Sequence, residues 1–451
     1  MKAIIKKTRG NQTIFAILAR PNEIAFAVLL FELINLTFYF FYFSRNHYLS
    51  PPFLMDANDT FMDFYNPLYW ALNDGFYNVY KSIYPALSYF ILKLFGIGIA
   101  NVNIYENPFA FRDAHPELAL FLLVAYMAVI LSVINLGEWR KINYINKFIL
   151  FLACIFSVPI LFAYERGNII FFALLFLALY LNASKEWFRA FYMGLLLNLK
   201  PYFIVFLVQY INKGGYTKNE LLKIVFLSTL IFFGLGWLAN IDFTSFFQNY
   251  LLFSKKGGIS HYGIIALPHS LSALGSINHY LHFEGSSYRF WFSALKVVNY
   301  IPLLVLLFYS ITKKLSKIEL LIISFFVLCS FTNGTGGYIL IAYLVLIPYL
   351  INSVEYRVLL IPILGIYALP LDWISIVSIP ADAIKSYLSG VTVTKGFFYI
   401  GLGSIIRPML NFSAVVIFTN SLVRKYSLNY MSKDKQKKSI FYNSPGSDRG
   451  G

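Results

Sequence analysis

The chain has few cysteines and few charged residues. Its 451 residues include only two cysteines, Cys154 and Cys329, and both lie inside apolar runs. Neither a disulfide framework nor a thiolate metal cluster can be built from them. Only 13% of the residues are charged, whereas 58% are hydrophobic and the mean hydropathy is +0.64. A water-soluble surface cannot cover this composition, so the sequence predicts a polytopic membrane protein.

Acidic residues are scarcer than basic ones. The chain has 21 Asp and Glu against 37 Lys and Arg, a formal net charge of +16. The basic residues occur in short clusters between apolar runs, for example within 2–20, 140–147 and 424–449. This pattern is typical of membrane topology signals and not of a basic groove, so no nucleic-acid partner is expected. No small-residue cleavage site follows the first apolar run, and we expect no cleavable signal peptide.

Apolar runs of about 17–25 residues, long enough to cross a bilayer, recur along the chain. They lie at 22–43, 117–136, 146–164, 168–183, 222–240, 292–312, 317–332, 337–352, 356–375 and 396–421. The shorter run 84–96 carries Lys93 and predicts an amphipathic helix on the membrane face. The run 187–212 is interrupted by Lys200-Pro201, which predicts two short antiparallel half-spans with Lys200 at the tip.

The positive-inside rule orients these runs. With the N-terminus inside, the short basic clusters fall on the cytoplasmic side. The prediction is an all-α protein of about twelve spans, with both ends cytoplasmic and two long outside loops, 44–116 and 241–291. All six histidines then lie outside, and no His-x-x-x-His spacing occurs, so no metal site and no cofactor are predicted. We expect the chemistry on the outer face.

One outside segment, 63–75, combines carboxylates with aromatic residues directly after the first span. A carboxylate at this position could serve a membrane enzyme as a base, and Tyr65, Asn66, Tyr69 and Trp70 could hold a sugar by stacking and hydrogen bonds. An interfacial aromatic belt explains the same aromatic residues equally well. Both interpretations stay open at this stage.

Several short motifs resemble the GT-C superfamily of membrane glycosyltransferases, and most closely its family 87, which uses polyprenyl-phosphate sugars. The motifs follow the order of that family: Asp63 with Tyr65, Gly75, Tyr80 and Tyr84-Pro85; Arg166-Gly167-Asn168; Gly194 with Leu199-Lys200-Pro201; and Pro268-His269-Ser270-Leu271. The chain departs from the family in having His269 in place of an amide and a single proline after Tyr84. The resemblance covers 22 to about 275.

The resemblance implies a function and a division of the chain. It implies a cytoplasmic N-terminus (1–21), a GT-C-like catalytic module (22–291), variable C-terminal helices (292–421) that help to enclose the lipid carrier, and a cytoplasmic basic tail (422–451), which we expect to be disordered. The activity would be metal-independent, inverting transfer of one hexose or pentose, such as mannose, from a polyprenyl-phosphate donor to a glycan or glycolipid acceptor. The expected location is the periplasmic or extracellular face of a bacterial inner membrane.

The resemblance also suggests site residues. It makes Asp63 the base, ahead of Asp56, Asp59 and Asp74. Cations in or near a bilayer are costly and usually functional, so the leaving phosphate would be bound by Lys200, Arg166 and Arg407. Arg166 and Asn168 are expected at a helix N-terminus, which favours anions, while pairing with Glu32 is the alternative for Arg407. The remaining expected substrate contacts are His261, His269 and Ser270.

Two other functions fit the same sequence. A flippase or transporter for a lipid-linked saccharide would have two related halves with broken helices at matching positions, and the sequence indicates one broken pair. A polysaccharide polymerase or ligase would also use the outside loops, but such enzymes usually rely on loop arginines. The early aspartate favours the glycosyltransferase.

Overall fold

A computed structural model gives the structure of the protein. It describes residues 21–49, 58–73, 75–99, 102–212, 215–255, 300–331, 335–369, 375–381, 383–393 and 396–442. The expected substrate contacts His261, His269 and Ser270, and the alternative bases Asp56 and Asp74, lie outside these residues.

Helices make up most of the described chain. In the first half they are α1 Pro21–Asn46, α2 Met62–Leu72, α3 Ala86–Phe95, α4 Pro108–Ala114, α5 Pro116–Val133, α6 Tyr144–Ile155, α7 Val158–Arg166, α8 Ile170–Asn182, α9 Glu186–Leu199, α10 Val208–Ile211, α11 Lys218–Leu238 and α12 Phe243–Lys255. Short 3-10 helices occupy Val102–Ile104, Gly137–Lys141 and Pro201–Leu207.

The second half adds helices and two small sheets. Its helices are α13 Tyr300–Thr312, α14 Lys317–Phe331, α15 Tyr343–Asn352, α16 Leu360–Ala368 and α17 Gly403–Tyr442, with 3-10 helices at Thr335–Ala342 and Arg357–Leu359. Its strands are β1 Ser375–Ala381, β2 Ile384–Lys385, β3 Thr392–Val393 and β4 Gly396–Gly401. Strand β1 pairs antiparallel with β4, and β2 pairs antiparallel with β3.

Three helices in the described residues are long and apolar enough to cross a membrane: Phe26–Asn46, Pro116–Val133 and Lys218–Leu238. The pair α6–α7 becomes a fourth candidate if its two parts are counted as one span, although it bends by 53° at its break. The predicted span 146–164 is therefore bent in its middle, and its crossing of the membrane stays a prediction. A predominantly helical chain with several apolar helices is confirmed and is compatible with a helical membrane protein, whereas the count of about twelve spans stays a prediction.

The runs 84–96 and 187–212 form short elements, as predicted. Their predicted positions in the membrane stay predictions. Helix α3 is only 10 residues long, buries Ala86, Ser88 and Leu92, and leaves Leu94 exposed. Helix α9 ends at Leu199, and the chain continues after Lys200 as a 3-10 helix that begins at Pro201. Proline removes a backbone donor and disfavours helix at the preceding residue, which explains the break.

The segment before the last helix departs from the all-α prediction. Residues 396–401, predicted as the start of the last span, instead form β4, and α17 begins at Gly403. The helix then runs to Tyr442, so the basic tail is helical over 422–442 and not disordered. The antiparallel pairing of β1 with β4 satisfies backbone N–H and C=O groups of both strands. The paired residues are about twenty positions apart, and helical periodicity does not predict such a pairing.

The described part of 44–116, which was predicted to be an outside loop, contains a packed part of the core. Helix α2 buries Met62, Phe64, Tyr65 and Leu68 completely, and it packs against α3 and α4. Asn107 caps α4 by accepting hydrogen bonds from the backbone N–H groups of its first turn. The aromatic segment is therefore held rigidly, which gives the carboxylates at its start a defined position.

Candidate functional site

Asp63 lies in the first turn of α2 and binds the Arg166-Gly167-Asn168 motif with both carboxylate oxygens. Arg166 Nη2 donates to Asp63 Oδ1 at 2.5 Å, and Asn168 Nδ2 donates to Asp63 Oδ2 at 2.9 Å. The Asp63 side chain is 19% exposed and that of Arg166 13% exposed. These charge-assisted bonds join parts of the chain that are 103 and 105 residues apart.

Arg166 is shared between two carboxylates. Its Nη1 donates to the side chain of Asp59 and also to the Asp59 backbone carbonyl, the latter at 3.2 Å. Arg166 therefore joins Asp59 and Asp63 in one charged cluster.

Lys200 supplies a second cation near this cluster. Its Nζ lies 4.9 Å from the centre of the Tyr84 ring, and Asp63 attracts its positive charge. Ser88 Oγ donates to the carbonyl of Leu199 at 3.0 Å, which ties α3 to the end of α9. The Tyr84-Pro85 and Leu199-Lys200-Pro201 motifs are thereby brought together.

Gly167 allows the motif to approach the Asp63 helix. It has φ +66° and ends α7 in the left-handed conformation, which glycine adopts without steric cost. A Cβ atom there would lie 2.9 Å from Phe64 Cβ and 3.2 Å from the Phe61 carbonyl oxygen. The glycine is therefore required both by its backbone conformation and by the contact with α2.

The helix-terminus prediction for this motif needs a correction. Arg166 is the last residue of α7 and does not open α8, and Asn168 Oδ1 already accepts the backbone N–H of Ile170 at 3.0 Å. Tyr126 OH donates to the Asn168 carbonyl at 2.7 Å. The prediction is therefore wrong for Arg166, whereas Asn168 does precede α8 and bonds one N–H group of its first turn.

Two residues that sequence reasoning missed hold the segment 58–61 in place. Glu165 Oε1 accepts hydrogen bonds from Tyr48 OH at 2.7 Å and from Thr60 Oγ1 at 3.0 Å. Arg112 is fully buried, and it donates to the Thr60 carbonyl at 3.0 Å and to Asn58 Oδ1 at 2.9 Å. Glu165 and Arg112 are ionisable residues within or beside apolar runs, and this position in the sequence could have marked them as candidate functional residues.

The C-terminal hairpin contributes to the same region. The Tyr387 ring lies 3.9 Å from the Arg112 guanidinium carbon and makes an edge contact with Phe61 at 6.1 Å between ring centres. Ser389 Oγ donates to the His47 carbonyl at 2.9 Å. The segment that follows β2 therefore packs against the loop that carries Asp59.

Tyr65 and Tyr69 of α2 lie in the core, so the structure does not support the expectation that they contact a sugar, which stays a prediction. Tyr65 is fully buried and its OH donates to the His115 carbonyl at 2.6 Å, while Tyr69 OH donates to the Tyr105 carbonyl at 2.9 Å. Their hydroxyls are already engaged in these bonds.

The other predicted contacts occupy varied positions. Trp70 stacks on Tyr80 with ring centres 5.9 Å apart, and both are half-buried, as is Asn66. Arg407 is buried in α17, and the hydrogen bonds of Asp63 come from Arg166 and Asn168 and not from Arg407. Glu32, the alternative partner of Arg407, accepts a hydrogen bond from Asn35 at 3.2 Å.

No protein-family model, no curated protein and no solved structure matches this chain. Within the described residues, no group of three or more His, Cys, Asp or Glu side chains is placed to hold a metal ion. The function of the protein must therefore be inferred from the geometry of the Asp63 cluster and from the motifs that form it.

Proposed function

We propose that the protein is a membrane glycosyltransferase that transfers one sugar from a polyprenyl-phosphate donor to a glycan or glycolipid acceptor. Asp63 is the general base, and Arg166 and Lys200 bind the donor phosphate. The observation that supports this proposal most is that a carboxylate and two cations from separate segments lie near one another, at the positions of three of the four family-like motifs.

The chemistry assigns one task to each group. The acceptor oxygen forms a bond to the anomeric carbon as the bond from that carbon to the phosphate oxygen breaks, and the phosphate leaves with the bonding electrons. Asp63 takes the acceptor hydroxyl proton. Arg166 and Lys200 compensate the negative charge that remains on the polyprenyl phosphate. A single carboxylate suffices because the phosphate is already a good leaving group.

The ion pair with Arg166 joins the proposed base to the proposed phosphate site. A donor phosphate would attract Arg166, and Asp59 already competes for the same guanidinium. Binding of the donor would therefore weaken the contact between Arg166 and Asp63.

One observation favours transport of a lipid-linked saccharide as a second candidate. The bend of 53° between α6 and α7 adds a second broken helix to the break at Lys200. Both breaks lie within residues 144–211, whereas alternating access between related halves would place them at corresponding positions of the two halves. The glycosyltransferase therefore explains the described residues better.

The test is sugar transfer in membranes that contain Asp63→Asn, supplied with labelled polyprenyl-phosphate sugars and a glycan extract as acceptor. We expect transfer to fall by about 10²-fold or more, because a general base contributes roughly 10²–10⁴. Asp242→Asn is a matched control: Asp242 is exposed and caps α12 by accepting the Ser245 N–H at 3.0 Å, and asparagine caps helices equally well.

The possible outcomes separate the assignments. Full transfer by Asp63→Asn would refute the assignment of Asp63 as the general base. A large loss of transfer in Asp59→Asn alone would identify Asp59 as the base instead. Absence of transfer by the parent protein with every donor, together with movement of the labelled lipid across the membrane, would favour transport.

A further inference from the structure

Arg112 is a buried cation that holds the backbone on both sides of Asp59. Its Nη1 donates to the backbone carbonyls of Asn58 and Thr60, the latter at 3.0 Å, and its Nη2 donates to Asn58 Oδ1 at 2.9 Å. Its carboxylate partner is Asp113, at 2.8 Å, whose side chain is 59% exposed. A buried charge needs further partners to offset the water that it has lost. The place of Arg112 therefore depends on its other contacts.

The ring of Tyr387 supplies such a contact from the C-terminal half of the chain. The guanidinium carbon of Arg112 lies 3.9 Å from the centre of this ring. This separation is well within the distance of about 6 Å at which the negative face of an aromatic ring attracts a cation. The same ring makes an edge contact with Phe61 at 6.1 Å between ring centres. Tyr387 therefore covers one face of the guanidinium and touches the segment that Arg112 holds.

The hairpin formed by β2 and β3 fixes the position of Tyr387. The two strands pair antiparallel, and at the tip the Ser386 N–H donates to the Val391 carbonyl at 3.0 Å. The Gly390 N–H donates back to the Ser386 carbonyl at 2.9 Å. Ser386 is fully buried. A closed turn of this kind leaves the backbone at Tyr387 little freedom, so the hairpin holds the ring over Arg112.

Asp59 connects this contact to the charged cluster. Arg166 donates to Asp59 with Nη1 and to Asp63 with Nη2. Because a guanidinium is planar and rigid, two carboxylates on its two nitrogens set its orientation. A loosened backbone around Asp59 would release one side of Arg166, and the contact with Asp63 would lose its fixed geometry.

We propose that Tyr387 is a positioning residue, which holds Arg112 by a cation–π contact and thereby keeps Asp59 and Arg166 in place beside Asp63. Its importance for sugar transfer rests on the proposed function, whereas its effect on the segment 58–65 does not. The family resemblance extends only to about 275, so none of its motifs includes Tyr387.

Fluorinated phenylalanines at position 387 test the contact, because fluorine withdraws the negative charge from the face of a ring and changes its shape little. Tyr387→Phe is the reference, and Tyr387→Leu removes the ring. The measurement is amide hydrogen exchange of residues 58–65 in the purified full-length protein in nanodiscs. This segment includes the Phe61 N–H, which donates to the Glu165 carbonyl at 2.7 Å.

We expect exchange of residues 58–65 to rise with each added fluorine and to be roughly 5- to 30-fold faster in Tyr387→Leu than in Tyr387→Phe. Sugar transfer should fall in the same order. Leu388→Ala is the control, because it shortens a neighbouring side chain that is 40% exposed at the same hairpin tip. It should leave exchange and transfer unchanged.

Equal exchange across the fluorine series would overturn the proposal, because a ring that only fills space does not respond to fluorine. A rise in Leu388→Ala as large as that in Tyr387→Leu would overturn it too, as would graded exchange with constant transfer. In Arg112→Gln, which removes the cation, the series should lose its effect, and a gradient that persists there would contradict a role through Arg112. If Arg112→Gln does not fold, the series in the parent protein decides alone. Graded exchange in a parent protein that transfers no sugar would support the contact while the enzymatic proposal fails.

Discussion

Replacing Gly167 with alanine tests how the Arg166-Gly167-Asn168 motif meets the Asp63 helix. The left-handed conformation at φ +66° costs an L-residue about 1–2 kcal/mol. The new Cβ would also lie 2.9 Å from Phe64 Cβ and 3.2 Å from the Phe61 carbonyl oxygen. These atoms belong to the backbone or adjoin it and cannot rotate away, so overpacking adds about 1–3 kcal/mol. The expected loss of stability is roughly 2–5 kcal/mol.

Two other glycines separate the two contributions. Gly98 has φ +89° with no atom within 4 Å of an added Cβ, so Gly98→Ala carries the conformational cost alone. Gly234 lies inside α11, also with open space around it, so Gly234→Ala should be neutral or stabilising by about 0.5–1 kcal/mol. Denaturant titration in detergent micelles measures all three. A loss for Gly167→Ala no larger than that for Gly98→Ala would refute the close contact with α2.

Three further predictions follow from the charged groups. Lys200→Gln should weaken the binding of polyprenyl phosphate, because it removes the positive charge beside the Tyr84 ring, whereas Lys200→Arg keeps the charge and should retain binding; equal binding by the wild type and Lys200→Gln would contradict this. Lys425→Met should lower the free energy of unfolding by about 1–3 kcal/mol, because it removes the Lys425 ammonium whose Nζ lies 2.8 Å from Oε1 of the buried Glu319. An unchanged denaturant midpoint would show that the other hydrogen bonds of Glu319 suffice. Arg112→Lys should reduce sugar transfer, and it should lower the free energy of unfolding by about 1–3 kcal/mol, because lysine lacks the planar fork that bonds Asn58 and Thr60 at once. Transfer and melting like those of the wild type would refute the positioning role of Arg112.

Local sequence features predicted the elements that depend on local chemistry. The break at Lys200-Pro201 follows from the proline, and the short helix 86–95 follows from an apolar run too brief to span. The pairing of β4 with β1 was missed because its hydrogen bonds join short, mostly apolar segments, and periodicity alone does not distinguish such segments from buried helices. The continuation of α17 to Tyr442 was missed because a polar composition was taken to indicate disorder.

The candidate site was predicted residue by residue but not as an arrangement. Motif resemblance selected Asp63, Arg166, Asn168 and Lys200 separately, and the structure places Arg166 and Asn168 in hydrogen bonds with Asp63. The inward position of Tyr65 could not be predicted, because a tyrosine near a membrane surface serves equally as an anchor, a ligand contact or a core residue.

The sequence by itself determined that this chain belongs in a lipid environment, since its hydrophobic content exceeds what a soluble surface can cover. It also determined where helices break, because proline and glycine act on their immediate neighbours. Only the tertiary structure decided that Asp59 and Asp63 share one guanidinium, and that Ser88 of α3 bonds the end of α9. Those features depend on distances between segments more than one hundred residues apart, and packing of the whole chain sets such distances, whereas local propensity does not.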